Sequence, residues 1–207
     1  MRTITAIEAQ KRGKERVNVF LDGTFAFSLG IEVAAEQGLH LGQVLSDPQI
    51  EELASVELFG KCLNAALRFL SYRPRSEAEI RMRLRRKFEE QTIDRVILHL
   101  KAGHMVDDVA FAQFWTENRE SFSPRSKRML KLELRRKGIE PEVIADVVDG
   151  IDEEEAAYRA AERRARPWAK EERNNFRKKL GAFLVRRGFS YEVANRVIER
   201  LWQESRK

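Results

Sequence analysis

Apolar positions recur every 50 residues over the C-terminal two thirds of the chain. The segment Arg73–Lys87, RPRSEAEIRMRLRRK, returns as Ser123–Lys137, SPRSKRMLKLELRRK. A weaker third copy keeps the apolar positions, which are Ile80 and Leu84, Leu130 and Leu134, and Leu180 and Leu184. Because these pairs have helical spacing, the pattern predicts one helical unit used three times, with stacked neighbours completing each other's core.

We predict three helices in each repeat. The second helix is expected to end with a left-handed cap at Gly138 and Gly188, whereas the first repeat has Phe88 at this position and must end differently. The third helix is predicted to begin at Thr92 in repeat 1, at Glu140-Pro141 in repeat 2 and at Ser190 in repeat 3.

The first 60 residues are rich in β-strand signals. Alternating apolar residues predict strands over Thr3–Ala9 and Arg16–Leu21, joined by a turn at Lys11–Lys14. Asp22-Gly23 is typical of a type I′ hairpin turn, after which Thr24–Ser28 returns as a third strand. A small antiparallel sheet is therefore expected.

Two helices are predicted to follow this sheet. One runs from Gly30 to Gly38, and the other opens at Asp47-Pro48, with proline in its first turn. Because three strands alone are only marginally stable, the sheet should pack against these helices or the first repeat.

The predicted fold class is mostly α: an elongated array of three tandem three-helix repeats, preceded by a small N-terminal antiparallel β-sheet with short helices. The predicted domains are an N-terminal extension at 1–60 and repeats at 61–107, 108–152 and 153–207.

Charge is distributed unevenly along the 207 residues. The net charge is +6, but residues 1–60 hold five Lys/Arg against nine Asp/Glu, which leaves 34 against 24 in the repeats. The single cysteine, Cys62, excludes an intrachain disulfide and is expected to be buried. No apolar run approaches the 18 or so residues of a membrane span, and the N-terminus has no secretory signal pattern, so we expect a cytoplasmic protein.

The sequence shows no pattern typical of an enzyme. Asp107-Asp108 and Asp152–Glu155 each precede a predicted helix, where carboxylates cap free N–H groups, so we favour capping over metal binding or acid–base chemistry. His40, His99 and His104 have no ligand spacing, and phosphate-loop and nucleophile-elbow motifs are absent. We therefore predict no catalytic residues, metal or cofactor.

The second helix of each repeat carries the candidate binding residues. Arg86, Arg136 and Arg186 follow the aligned leucines by two positions, a rotation of about 200°, so they should point outward. A basic stripe of this kind favours a polyanionic partner. The candidates are Arg75, Arg81, Arg85, Arg86, Lys87, Arg125, Lys127, Arg128, Arg135, Arg136, Lys137, Lys178, Arg186 and Arg187.

The same charges have a plainer interpretation, in which they only keep the helices soluble. The acidic residues that could neutralise the first repeat by helical pairing are Glu77, Glu79, Glu89 and Glu90. The aromatic residues Phe111, Phe114 and Trp115 have helical spacing and are predicted to be core, as are Trp168 and Trp202.

The central repeat resembles a known family. The string DDVAFAQFWTENR, Asp107–Arg119, is similar to a signature of the RecX family of bacterial recombination regulators. PRSEAEIRMRL, LELRRKGIEPEVI and LDGTFAFSLG resemble other segments of that family, whereas the alanine-rich third repeat lacks the Phe and Trp of the second.

The resemblance implies an all-helical array that binds the filament of the recombinase RecA on single-stranded DNA. It also implies inhibition of the RecA ATPase, strand exchange and coprotease activity, which moderates the SOS response. From the basic stripe we add the hypothesis that a monomeric chain holds neighbouring RecA subunits together. The alternatives are direct DNA binding without RecA and a purely structural adaptor, for which the stripe would be irrelevant.

Overall fold

The structure is a computed structural model, and it describes residues 1–10 and 13–206. Its chain divides into two compact units. Unit 1 comprises Met1–Tyr72 and Met82–Leu100, and unit 2 comprises Arg73–Arg81 and the chain from Lys101 onward.

Unit 1 contains a four-stranded antiparallel sheet with the strand order β3-β2-β1-β4. Its strands are β1, Arg2–Gln10; β2, Gly13–Leu21; β3, Thr24–Gly30; and β4, Val44–Leu45. The type I′ turn is confirmed by φ values of 49° at Asp22 and 80° at Gly23. The turn predicted at Lys11–Lys14 falls on residues 11 and 12, which lie outside the described residues. The strand β4 was not predicted from the sequence, because a strand of two residues is too short to show alternating apolar and polar positions.

Two helices cover this sheet, as predicted. They are α1, Ile31–Glu36, and α2, Asp47–Leu70. Ala34 and Leu53 from these helices join the buried residues of the strands in one core. The carboxylate of Glu57 on α2 pairs with Arg16 on β2 and Lys61 on the next turn. Apolar burial and this ion pair together attach the sheet to α2.

The structure has one continuous helix where the sequence suggested two. The 24-residue α2 begins at Asp47 and also supplies the first helix of repeat 1. The predicted boundary at residue 60 therefore falls inside a helix, and the four domain ranges remain predictions. Cys62 is buried in this helix, as expected, and burial raises the pKa of its thiol to about 11.

The three predicted three-helix repeats are confirmed. Repeat 1 combines α2 with α3, Glu77–Leu84, and α4, Glu90–Ala102. Repeat 2 contains α5, Asp108–Phe122; α6, Lys127–Arg136; and α7, Pro141–Val148. Repeat 3 contains α8, Glu153–Ala165; a short 3-10 helix, Arg166–Trp168; α9, Arg173–Arg186; and α10, Tyr191–Glu204. The predicted start of α4 at Thr92 was wrong, because the helix already begins at Glu90.

The acidic clusters cap helices, as predicted. The Asp107 side chain accepts hydrogen bonds from the N–H groups of Val109 and Ala110 at the start of α5. Asp152 does the same for Glu154 and Glu155 in α8. These carboxylates accept hydrogen bonds from free N–H groups, and their negative charge interacts favourably with the positive end of the helix dipole.

Repeats 2 and 3 bury separate cores, contrary to the expectation that neighbours share one. Phe111, Leu130 and Leu134 lie in the core of repeat 2. The core of repeat 3 contains the five alanines of α8, and Phe176 and Trp202 pack beside these small side chains. Ile151 packs against both cores. The two repeats thus have distinct cores that meet at this residue within one compact unit.

The start of one second helix contacts the end of the next one along the chain. Gly138 follows α6 with a φ of +76°, and a Cβ placed on it would lie 2.3 Å from the Cβ of Ala78 in α3. Beside it, the fully buried hydroxyl of Ser76 donates to the carbonyl of Lys137 at 2.6 Å. We call this contact the first joint, defined by Ser76, Ala78 and Glu79 against Lys137 and Gly138.

The second joint repeats this geometry one repeat later. Gly188 follows α9 with a φ of +92°, and its Cβ would lie 2.2 Å from Cγ of Met129. The N–H of Ser126 donates to the carbonyl of Arg187 at 3.2 Å. Ser126 and Met129 of α6 against Arg187 and Gly188 define the second joint. In both joints only glycine fits, because a side chain would be strained by φ and blocked by the neighbour.

The two ends of the array lack the matching halves of this joint. In repeat 1 the glycine position is Phe88, and no positive φ occurs there. In repeat 3 the serine position is Phe176, which is buried inside an α9 that begins about one turn earlier than α6 does. Among residues 1–10 and 13–206, this contact therefore occurs twice.

Gly138→Ala is expected to destabilise the protein by about 2–4 kcal/mol, since left-handed strain adds to the overlap with Ala78. Gly60→Ala is the control, because Gly60 lies inside α2 with nothing within 4 Å of its Cβ position. That change should stabilise by up to about 1 kcal/mol. Urea unfolding of both variants measures the difference. Equal effects of the two changes would show that the joint is not a tight contact.

Candidate functional site

The predicted basic residues divide into two groups by exposure. Eight are exposed: Arg85, Arg86, Lys87, Arg128, Arg135, Arg136, Lys178 and Arg186. Six are partly buried: Arg75, Arg81, Arg125, Lys127, Lys137 and Arg187. The outward orientation predicted for Arg86, Arg136 and Arg186 agrees with their exposure. The next position is partly buried in Lys137 and Arg187, because it lies against the neighbouring repeat.

Several of the predicted cations are engaged within the protein. Arg81 donates to Glu77 at 2.7 Å, and Arg85 pairs with Glu90 at 2.9 Å. The Arg125 guanidinium lies 3.0 Å from Glu133. Lys127 donates its ammonium to the carbonyl of Asp149 at 2.7 Å, rather than to a carboxylate. Internal pairing therefore accounts for part of the basic stripe, as the plainer interpretation anticipated for repeat 1.

The cation of the first joint is neutralised inside the protein. The ammonium of Lys137 lies 2.8 Å from Glu79 and 4.0 Å from the centre of the Trp115 ring. Glu79 also accepts from Arg73 at 2.8 Å. Burial acts to raise the pKa of Glu79, but hydrogen bonds from Arg73 and Lys137 outweigh it and lower the pKa to about 2. Glu79 is thus ionised at neutral pH in a partly buried contact.

The cation of the second joint has different partners. Arg187 donates to the hydroxyl of Ser123 and the carbonyl of Pro124, both at 3.0 Å, and its guanidinium lies 4.9 Å from the centre of the Phe183 ring. Burial, followed by repulsion from nearby guanidinium groups, lowers the pKa of Arg187. In the described part of the chain no carboxylate pairs with Arg187.

The aromatic residues of repeat 2 are divided between core and surface. Phe111 is buried, as predicted, and Trp115 is partly buried against it with ring centres 6.0 Å apart. The indole N–H of Trp115 donates to Glu133 at 2.9 Å, and its ring also has the guanidinium of Arg119 at 4.6 Å. Trp115 is thus a platform for cations as well as a core residue.

Sequence reasoning missed the roles of three positions. It predicts Glu79 only as a general neutralising charge, although its partner is Lys137 in the next repeat. It does not select Arg164 and Phe122, although both line a cleft beside Arg187. The 50-residue register held a usable signal, because the position of Glu79 is occupied by Met129 in repeat 2.

The described residues were compared with the arrangements that hold metal ions and that cross membranes. Within residues 1–10 and 13–206, no group of three or more His, Cys, Asp or Glu is placed to hold a metal. None of the described helices is long and apolar enough to cross a membrane. What the fold and its charged surfaces define is a three-helix-repeat protein with an N-terminal β-sheet and basic second helices.

Comparison with known families identifies this class more closely. Four family profiles match in chain order: the regulatory protein RecX N-terminal domain at residues 2–46, and the RecX first, second and third three-helix domains at residues 62–100, 107–148 and 152–198. The chain belongs to the RecX family.

Individual relatives agree over most of the chain. A regulatory protein RecX of Clostridium perfringens is 33% identical over 97% of this chain and 97% of its own. A regulatory protein RecX of Listeria welshimeri is 34% identical over 92% of this chain and 72% of its own. A crystal structure of regulatory protein RecX matches with a TM-score of 0.69 at 27% identity, covering 96% of this chain and all of the other. The crystal structure of RecX from Lactobacillus salivarius matches with a TM-score of 0.59 at 26% identity, and the match covers 70% of this chain and 97% of the other.

Glu79→Gln should weaken the first joint by about 2 kcal/mol at pH 7, because two charge-assisted hydrogen bonds are lost. A carboxyl whose folded pKa is lowered from 4.5 to about 2 stabilises the fold above pH 4.5 and loses this effect as pH falls towards 2. The variant should therefore differ strongly from wild type at pH 7 and much less at pH 2.5. Urea unfolding at both pH values measures this. Glu51→Gln is an exposed control, and a Glu79 effect no larger than the control's would contradict the assignment.

Proposed function

We propose that this protein is a non-enzymatic regulator that binds the RecA–single-stranded DNA filament. Binding would inhibit the RecA ATPase, strand exchange and coprotease activity, and so moderate recombinational DNA repair and the SOS response in the cytoplasm. The observation that carries the proposal is membership of the RecX family along the whole chain, with all four family segments present in order.

The exposed cations support a polyanionic partner. Arg86, Arg136 and Arg186 are exposed at the same position of the three repeats. Arg86 follows the end of α3 by two residues, and the other two are the last residues of α6 and α9. The repeats together carry a net charge of +10, although the N-terminal 60 residues are net acidic. Phosphates that meet such side chains release bound counterions, which favours association at moderate salt. A RecA filament assembled on single-stranded DNA presents both DNA phosphates and the protein surface of RecA.

Repetition of the binding surface suggests how inhibition would arise. A contact made by one repeat raises the effective concentration of the next contact, so weak sites combine into firm binding. When successive contacts fall on neighbouring RecA subunits, the chain would restrain their relative motion and exchange. Because the restraint acts on the filament, the regulator needs no chemical step of its own.

An ATPase assay with RecA on single-stranded DNA tests this function. Substoichiometric wild-type protein should slow ATP hydrolysis by the assembled filament. Replacing Arg86, Arg136 and Arg186 together by Glu should weaken inhibition about tenfold or more, because three phosphate or carboxylate contacts become repulsive.

A second triple variant separates local contacts from overall charge. Replacing Arg2, Arg68 and Lys170 by Glu changes the net charge equally at exposed positions outside the second helices. This control should inhibit nearly as well as wild type. If wild-type protein leaves the filament's ATPase unchanged, the proposed function is wrong.

The alternative is a protein that binds DNA directly without RecA. Its exposed cations support it equally, and it predicts DNA affinity that falls steeply with salt. Binding that is no tighter to RecA-coated than to bare DNA, together with an unaffected ATPase, would favour this alternative.

A further inference from the structure

The two joints are built from corresponding segments but differ in charge, most directly where a carboxylate of the first is replaced by a thioether in the second. In the first joint, Glu79 lies in the first turn of α3 and neutralises Lys137. In the second joint, the equivalent position of α6 is Met129, and the equivalent of Lys137 is Arg187. Met129 packs against Gly188 and offers no charge. The joint that lacks the acid therefore retains a partly buried guanidinium without a carboxylate partner in the described chain.

Other guanidinium groups surround Arg187. Arg125, Arg164 and Arg119 all act on it by repulsion, and this adds to burial in lowering its pKa. The nearby acid Glu133 is occupied, since it accepts from Arg119 at 2.8 Å and lies 3.0 Å from Arg125. Like charges held together in a partly buried place are costly unless an anion joins them.

A cleft of about 550 Å³ opens beside this cluster. Arg163, Arg164 and Arg187 line it without a carboxylate partner in the described residues, and the rings of Phe122 and Phe183 form its apolar wall. Three acids also line the cleft. Glu120 pairs with Arg159 at 3.1 Å and Glu162 with Arg166 at 2.8 Å, which leaves Glu117 without an ion-pair partner among the described residues.

We infer that this cleft binds a phosphodiester group of single-stranded nucleic acid, with Arg164 and Arg187 contacting the phosphate and Phe122 stacking on a neighbouring base. The inference rests on the function proposed above for its choice of partner. It adds a defined site, at the second joint, through which the protein touches the nucleic acid itself.

The chemistry of the cleft favours nucleic acid over an acidic protein surface. Guanidinium groups bind phosphate oxygens through paired N–H donors, which suits a crowded arginine site. Phe122 ends α5 with 82% of its surface exposed. An exposed aromatic ring beside guanidinium groups is typical of single-strand binding, where a base stacks while its phosphate is neutralised. A carboxylate partner would use the arginines but would have no need of the ring.

The sharpest test copies the first joint into the second. Met129→Glu places at this position the acid that Glu79 provides, keeps the Cβ and Cγ that contact Gly188, and supplies a favourable residue for the Ser126 cap. The new carboxylate should occupy Arg187 from within. Affinity for a fluorescent oligothymidine, measured by anisotropy, should then fall about tenfold. The slope of log affinity against log salt should decrease by about 0.7, which corresponds to one phosphate.

Met129→Gln is the matched control, because it has the same length and polarity but no charge. It should bind the oligonucleotide as wild type does. Phe122→Ala should weaken binding about tenfold on oligothymidine, but hardly at all on an abasic strand that has no bases to stack. Urea unfolding of all three variants verifies that they remain folded.

Three results would overturn the inference. They are wild-type protein that does not bind the oligonucleotide at low salt, equal affinities of the Glu and Gln variants, and a Met129→Glu defect that appears only with RecA-coated DNA, which would indicate an acidic protein ligand. The ATPase assay fails or succeeds separately. Cleft-dependent binding to bare DNA without ATPase inhibition would reject the proposed function and keep the site.

Discussion

The structure depends on a contact in which the glycine that ends one second helix rests on the residues that begin the previous one. Gly138 lies on Ala78 and Gly188 on Met129, at distances that leave no room for a Cβ. The contact brings the negative end of one helix dipole to the positive start of another, and a buried serine links the two backbones. Repeats 2 and 3 have distinct cores that meet at Ile151, and the second joint adds a direct backbone contact between them.

The same contact decides where charge is hidden and where it remains available. It places the residue before each glycine, Lys137 or Arg187, against the neighbouring repeat. In the first joint, Glu79 forms an ion pair with Lys137. Met129 leaves Arg187 with neutral oxygen partners and other arginines. The change from Glu79 to Met129 between two copies of the repeat thus removes the carboxylate that forms the ion pair of the first joint.

Much of the fold could be predicted from the sequence, because it follows from local rules. Helical spacing of leucines, a cap glycine and an Asp-Gly turn each specify backbone structure within a few residues. The strand Val44–Leu45 could not be predicted, since it exists only through pairing with β1. The continuity of α2 was also missed. The sequence did contain the signal for it, since no proline separates the helix that opens at Asp47 from the first helix of repeat 1.

The candidate site was less predictable, because exposure depends on contacts between repeats. Outward rotation was correct for Arg86, Arg136 and Arg186, which the joints leave exposed. Lys137 and Arg187 are partly buried, and periodicity within a helix does not reveal what the next repeat covers. The sequence did contain the difference between Glu79 and Met129, but its meaning required the distance from Glu79 to Lys137. The roles assigned to all these cations in binding remain proposals.

A double-mutant cycle on Met129→Glu and Arg187→Gln tests the central claim most directly, since it isolates the coupling between the two positions from all other effects of each change. If Arg187 lacks an internal counter-charge, urea unfolding at low salt should give a favourable coupling of about 1 kcal/mol or more between the carboxylate introduced by the first change and the native arginine. A coupling indistinguishable from zero would contradict the account, because it would mean that the second joint is already neutralised.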